Sequence, residues 1–153
     1  MRCTILCGIP GSGKTTYAKR EFPAAKVLSA DDFFMVGVVS SSDHAVKTEY
    51  RFDPTQLPAA HGSCLRRFIE AVQERRESIV VDNTNTTTAE IAPYAAVALA
   101  YGYTLQVLVI EADPEAAFAR NVHGVPLKAC QAMAKRLESL DIPPWWVLKR
   151  VTF

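Results

Sequence analysis

Near the amino end, Gly8-Ile9-Pro10-Gly11-Ser12-Gly13-Lys14-Thr15 follows the spacing Gly-x-x-x-x-Gly-Lys-Ser/Thr in full. Phosphate oxygens need several backbone N–H groups at close range. Glycines let a loop wrap with its amides inward, and a following helix adds the positive end of its dipole. Lys14 then supplies a point charge for the β- and γ-phosphates, and Thr15 a hydroxyl for Mg²⁺. Thr16 reaches toward the α-phosphate. The expected chemistry is binding of ATP with Mg²⁺ by Gly8, Pro10, Gly11, Ser12, Gly13, Lys14, Thr15 and Thr16.

Three further positions fit transfer of the phosphoryl group. Ile79-Val80-Val81-Asp82 is an apolar strand ending in a carboxylate; Asp82 either takes part in holding Mg²⁺ or caps a turn with Asn83 and Thr84. Asp31 and Asp32 in Ser29-Ala30-Asp31-Asp32-Phe33-Phe34 follow a strand, at the edge of the sheet where open α/β folds bind ligands. A carboxylate there can orient an acceptor hydroxyl and take its proton; the alternative is a helix cap with its neighbour in solvent. Arg120 ends a helical run from Asp113 where a lid would sit. It is the first candidate for the cation beside the transferring group, Arg136 the second, and a plain surface arginine the alternative. The residue after Asp82 is Asn83 rather than Glu, and no Asn-Lys-x-Asp occurs. Both absences weigh against a motor ATPase or a GTPase.

These residues need a frame. Strands are expected at Arg2–Cys7, Lys26–Ser29, Ser78–Asp82 and Tyr103–Ile110, as apolar runs without strict alternation, which suits a parallel sheet covered on both faces. Helices are expected over Lys14–Phe22, after Asp53-Pro54, over Asp113–Arg120 and from Pro126. In the second, Leu57, Cys64, Leu65, Phe68 and Val72 form an apolar face. Arg66, Arg67, Glu70, Glu74 and Arg75 form a solvated one. In the last, Leu127, Cys130, Met133, Leu137 and Leu140 share a core face. Val36–Lys47 reads as a loop. The Pro-broken tail from Ile142 offers an edge strand, with Trp145 and Trp146 covering the core.

The chain has 153 residues, a formal net charge of +1 and 49% hydrophobic residues, which sets aside disorder and fits one domain over 1–153. The stretch from Arg120 to Arg150 holds six basic residues against Glu138 and Asp141; it is either a face for an anionic ligand or solvated helix surface. Cys3, Cys7, Cys64 and Cys130 show no metal spacing, so reduced thiols and a cytoplasmic setting are expected. Ile91–Ile110 is uncharged over twenty residues, but Pro93, Gly102 and the β-branched run after it favour a helix followed by a buried strand over a membrane span.

At these residues the chain resembles the P-loop kinase domain of polynucleotide 5′-hydroxyl kinases and their relatives. Those relatives include the kinase-like domains of the myelin cyclic-nucleotide phosphodiesterase and of certain ubiquitin-ligase-binding proteins. The matching parts are GIPGSGKTT, SADDFF, the YRFDP run into a helix, VVDNTN and ARNVHGVP, from Arg2 to about Leu140. The resemblance implies Asp31 as general base, Arg120 as lid arginine, Lys14 and Thr15 in the phosphate loop, and Asp82 at the metal. Asn83, Thr84 and Asn85 fall at the site's edge. It also implies a three-layer α/β P-loop fold, nucleotide-kinase-like, with four or five mostly parallel strands whose first four take the order 2-3-1-4. Where phage-type polynucleotide kinases carry further arginines, this chain has His123-Gly124 and Phe33-Phe34-Met35, which weakens the grip on an acceptor's 3′-phosphate. The expected function is an ATP- and Mg²⁺-dependent kinase acting on the 5′-hydroxyl of a polynucleotide or nucleotide. The alternatives are a small-metabolite kinase and an ATP-binding switch module without chemistry.

Overall fold

The computed structural model describes residues 1–39 and 46–153. A five-stranded parallel sheet is built from β1 (Arg2–Cys7), β2 (Lys26–Leu28), β5 (Ser78–Asp82), β6 (Thr104–Glu111) and β7 (Val147–Thr152), in the order β2-β5-β1-β6-β7. The four strands expected from sequence take the expected order, and the tail adds the fifth at the edge beside β6. The fold is α/β with a mostly parallel sheet.

Alternation along β1 explains the three layers. Cys3, Ile5 and Cys7 face one cluster, in which α2 (Leu57–Gln73) and α3 (Thr88–Ala100) bury Cys64, Phe68, Val72, Ile91, Tyr94 and Ala98. Leu6 faces the other way, with Val80, Leu108 and Ile110, onto Ala18 of α1 (Lys14–Glu21). Side chains of a strand alternate between faces, so one strand serves both cores. β1 lies between β5 and β6, and residues 3–7 are all buried. The loop that leaves it at Gly8 therefore starts from a fixed point.

Four expectations need correction. The loop expected at Val36–Lys47 lies partly in an antiparallel hairpin of β3 (Met35–Val39) and β4 (Val46–Tyr50); its remainder, 40–45, is outside the described residues. The β-branched residues at 36, 38, 39, 46 and 48 favour strand over loop. Asp53 caps a single 3₁₀ turn, Pro54–Gln56, that leads into α2, and Leu57 is 38% exposed rather than on the core face. Of the two tryptophans, Trp146 packs on the core while Trp145 is exposed. Arg67, expected in solvent, reaches the turn that carries Asp31. Two short helices, α4 (Pro114–Ala119) and α5 (Leu127–Glu138), follow β6; Cys130 and Leu137 of α5 are buried as expected. Among the described residues no helix is long and apolar enough to cross a membrane. All four cysteines are free and buried.

Candidate active site

The phosphate loop connects β1 to α1. Gly8 N–H donates to the Thr84 carbonyl at 2.9 Å, which ties the loop's start to the end of β5. Gly11 and Gly13 have φ of 78° and 95°, in the left-handed region. Gly11 is under a second constraint: a Cβ there would lie 2.0 Å from the Ala117 carbonyl oxygen of α4. Only glycine lets the loop's crest pass this close to α4. Lys14 Nζ folds back over the loop and donates to the Gly8 and Ile9 carbonyls at 2.9 and 3.0 Å. Burial lowers its pKa, partly offset by Asp82 and Asp31.

Thr15 donates its hydroxyl to Asp82 Oδ2 at 2.6 Å, while Asp82 Oδ1 is buried without a partner among the described residues. Burial raises the Asp82 pKa against the opposing pull of the Thr15 hydroxyl and Lys14. The Thr15 hydroxyl and the Asp82 carboxylate, one oxygen of which is unpartnered, fit Mg²⁺, which takes few protein ligands and fills its shell with water and substrate phosphates. No group of three or more His, Cys, Asp or Glu stands ready for a metal among the described residues.

Opposite the loop, a 3₁₀ helix over Ala30–Phe34 separates the paired carboxylates. Asp32 accepts from the Ser29 backbone N–H at 3.1 Å and pairs with Arg67 of α2 at 2.8 Å. Arg67 also donates to the Ser29 carbonyl at 2.6 Å. Asp32 thus completes a capping box whose N-cap is Ser29. Asp31 instead lines a cavity of about 570 Å³ that it shares with Lys14, Thr15, Asp82 and Arg120. Arg120, the C-cap of α4, donates from Nε to the Gly11 carbonyl at 3.1 Å. Pro10, Gly11, Gly13 and Thr16 line the same cavity.

The AAA domain family matches residues 4–139. The chain belongs to this family. Human NEDD4-binding protein 2 is 34% identical over 130 residues, covering 79% of this AAA domain chain and 7% of that protein. Rat YLP motif-containing protein 1 is 29% identical over 152 residues, 88% of this chain and 11% of that protein. The chain thus spans only about a tenth of the curated relatives it matches. Among solved structures, the Pnkp1/Rnl/Hen1 RNA repair complex superposes with a TM-score of 0.66 at 18% identity, over 90% of this chain and 44% of that one. The Mycobacterium tuberculosis APS kinase CysC, in complex with AMPPNP and APS, gives 0.57 at 17% identity, over 99% and 87%. The fold of this AAA domain is P-loop kinase-like, and such a fold implies nucleotide binding.

The remaining expected residues of the AAA domain fall outside the cavity's chemistry or only at its edge. Asn83, the residue that is not a motor's glutamate, is a strut. Its Oδ1 accepts from the Ala30 N–H at 2.8 Å and its Nδ2 donates to Tyr94 and Cys64 at 3.4 and 3.6 Å. Asn85, at φ 43°, donates to the Leu6 carbonyl at 2.7 Å. The Asp-Asn-Thr-Asn turn therefore clamps β1, β5 and the Asp31 helix together. Arg136 donates to Thr86 at 3.1 Å and does not line the cavity. Arg150 pairs with Glu111 and donates to the Leu137 carbonyl. Sequence reasoning missed Arg67 as the partner of Asp32. It also missed Tyr50 and His123, which flank Asp31; their only signal was their place in YRFDP and RNVHGVP.

Proposed function

We propose that this chain is an ATP- and Mg²⁺-dependent phosphotransferase that moves the γ-phosphate of ATP onto a hydroxyl, with the 5′-hydroxyl of a polynucleotide or nucleotide as acceptor. One observation carries the reading: Asp31 shares one cavity with Lys14, Thr15 and Arg120. A base and a phosphate grip facing each other across one space suit in-line transfer.

In this reading the loop amides and Lys14 hold the donor phosphates. Arg120, braced on the Gly11 carbonyl, stabilises charge on the transferring group. Asp31 takes the acceptor's proton. Thr15 and Asp82 would hold Mg²⁺, which when bound neutralises charge on the β- and γ-phosphates. Residues 1–153 act as one catalytic unit, and the free buried thiols suit a reducing, cytoplasmic setting.

A second acceptor class has its own support. The cavity that Asp31 lines also has aromatic and apolar residues in its wall, Tyr50, Phe52, Leu57, Val122, Val125 and Met133. A sugar kinase from Janibacter shares the fold with a TM-score of 0.55. A small neutral acceptor fits such a wall.

The test is transfer from γ-labelled ATP to 5′-hydroxyl DNA and RNA oligonucleotides and to a panel of sugars and nucleosides, with Lys14→Ala as control. Labelled oligonucleotide that weakens steeply with salt supports the polynucleotide reading. Labelling of a small acceptor alone, insensitive to salt, moves the assignment to a metabolite kinase. Tight ATP binding with no product from any acceptor leaves a nucleotide-binding switch and removes the phosphotransferase.

A further inference from the structure

Asp31 faces the cavity with about half of its side chain exposed, at 52%. A carboxylate so exposed has several rotamers open to it, and proton transfer needs one aimed at the acceptor hydroxyl. Two side chains from distant segments restrict it. Tyr50, at the end of β4, donates its phenol to Asp31 Oδ1 at 3.1 Å. His123, in the turn after α4, places Nε2 3.7 Å from Asp31 Oδ2. The Tyr50 and His123 rings meet edge-on, with centroids 5.1 Å apart at 63°.

Both partners are themselves held. Tyr50 lies parallel to Phe52 at 6.4 Å and edge-on to the buried Phe34 at 6.0 Å. The His123 backbone N–H donates to Asn121 Oδ1 at 2.9 Å and Asn121 Nδ2 donates to the Val125 carbonyl at 2.8 Å, which fixes the turn, while the ring's Nδ1 is buried without a partner among the described residues. Burial and then the Asp31 carboxylate push the Tyr50 phenol up to about 12. It therefore stays a protonated donor at neutral pH. His123 also sits three residues beyond Arg120, so one segment carries both the guanidinium at the Gly11 carbonyl and the imidazole at Asp31.

We propose that Tyr50 and His123 are positioning residues for Asp31, holding its carboxylate toward the acceptor hydroxyl, and that His123 couples this alignment to the α4 segment that carries Arg120. The inference rests on the phosphotransferase reading above. In the step they serve, the acceptor's O–H proton passes to Asp31 Oδ2. The acceptor oxygen forms a bond to the γ-phosphorus. The bond from that phosphorus to the β–γ bridging oxygen breaks, and ADP leaves with the electron pair. Tyr50 keeps its own proton and its bond to Oδ1 throughout.

The experiment has a spectroscopic arm and a kinetic arm on the full chain. With tyrosine labelled at Cζ with ¹³C, the Tyr50 signal is assigned by its loss in Tyr50→Phe. The phenol is expected to titrate near 12 in the wild type and lower in Asp31→Asn, where the upward push of burial remains and that of the carboxylate is lost. In steady-state transfer, Tyr50→Phe and His123→Ala are each expected to lower kcat roughly 10-fold with the KM for ATP unchanged. His123→Gln, which keeps a polar side chain of similar reach beside Asp31 Oδ2, recovers most of the loss. Unaltered kcat in Tyr50→Phe and His123→Ala, with wild-type transfer intact, overturns the positioning role and leaves the phosphotransferase standing. A Tyr50 titration indifferent to Asp31→Asn overturns the contact itself. A wild-type chain that transfers phosphate to no acceptor overturns both readings, whatever Tyr50 does.

Discussion

The two sides of the cavity are built in opposite ways. On the proposed phosphotransferase reading, the donor side is one continuous run, Gly8 to Thr16, with Asp82 buried beside it at 6% exposure. The acceptor side is assembled from side chains: Asp31 from the 3₁₀ helix, Tyr50 from the hairpin and His123 from the turn after α4, with over 90 residues between the first and last. A phosphate is the same in every donor, so main-chain geometry can be dedicated to it. An acceptor differs from enzyme to enzyme, and exchangeable side chains on separate segments can change without disturbing the loop. Arg120 and Asn83 are the joints between the two sides, one through the Gly11 carbonyl and one through the Ala30 N–H.

If the sides meet at Arg120, its loss should do the most damage. Arg120→Ala is expected to lower kcat by about 10³-fold, with ATP affinity reduced far less. A pre-steady-state transfer assay separates the two quantities. Equal losses in both would make Arg120 a donor-side residue only.

Gly11→Ala strikes the donor side alone. Its Cβ would meet the Ala117 carbonyl at 2.0 Å in a left-handed backbone. The loop and α4 must separate, so ATP binding is expected to weaken by roughly 10-fold or more, the equivalent of about 1.4 kcal/mol or more of lost contacts. Calorimetric titration with ATP measures it. Retained affinity would show that the contact between loop and α4 is dispensable.

Asn83→Ala removes the strut and leaves the Ala30 N–H buried and unpaired. The expected cost is about 1–3 kcal/mol of stability, read by denaturant unfolding. Activity measured on the folded fraction should fall on the acceptor side, through the Asp31 helix, more than in ATP affinity.

The smallest effect is a pH dependence confined to the donor side. Burial holds the Asp82 carboxyl above its ordinary pKa. The folded chain then binds that proton more tightly than the unfolded one. The contribution to stability is therefore fully present below the unfolded value of about 4 and is lost as pH rises through the folded value. Asp82→Asn removes this titration. The variant should melt a few degrees higher than wild type at pH 7, the gap closing toward pH 4, while Mg²⁺-dependent ATP binding is lost. Thermal unfolding across that range measures it; a gap that does not depend on pH would contradict the assignment.

The same contrast governs what could be read from sequence. The donor side was legible because its chemistry is contiguous: eight residues at fixed spacing, an apolar strand before them and a carboxylate ending another strand. The sheet followed from four apolar runs, and its order from the resemblance. The acceptor side was legible only at Asp31 and Arg120, as candidates. Which of Asp31 and Asp32 faces the cavity depends on Arg67, 35 residues away on a helix face that reads as solvent. Asn83 read as part of the turn after a strand, at the edge of the site, yet its partners Ala30, Cys64 and Tyr94 come from three elements. Tyr50 and His123 carry no local mark of their roles, because each is defined by a contact with Asp31 that only the folded chain makes. The hairpin was missed because Gly37 and the serines from 40 to 42 outweighed the β-branched residues beside them.

The central claim is that Asp31 serves the acceptor and not the nucleotide. The most direct measurement is the pair of ATP affinity and single-turnover transfer in Asp31→Asn, beside wild type and with the wild type's best acceptor. The account predicts unchanged ATP affinity and a transfer rate lowered by about 10²–10⁴-fold, the range for loss of a general base. Transfer at the wild-type rate, or a loss explained by weakened ATP binding, would contradict it.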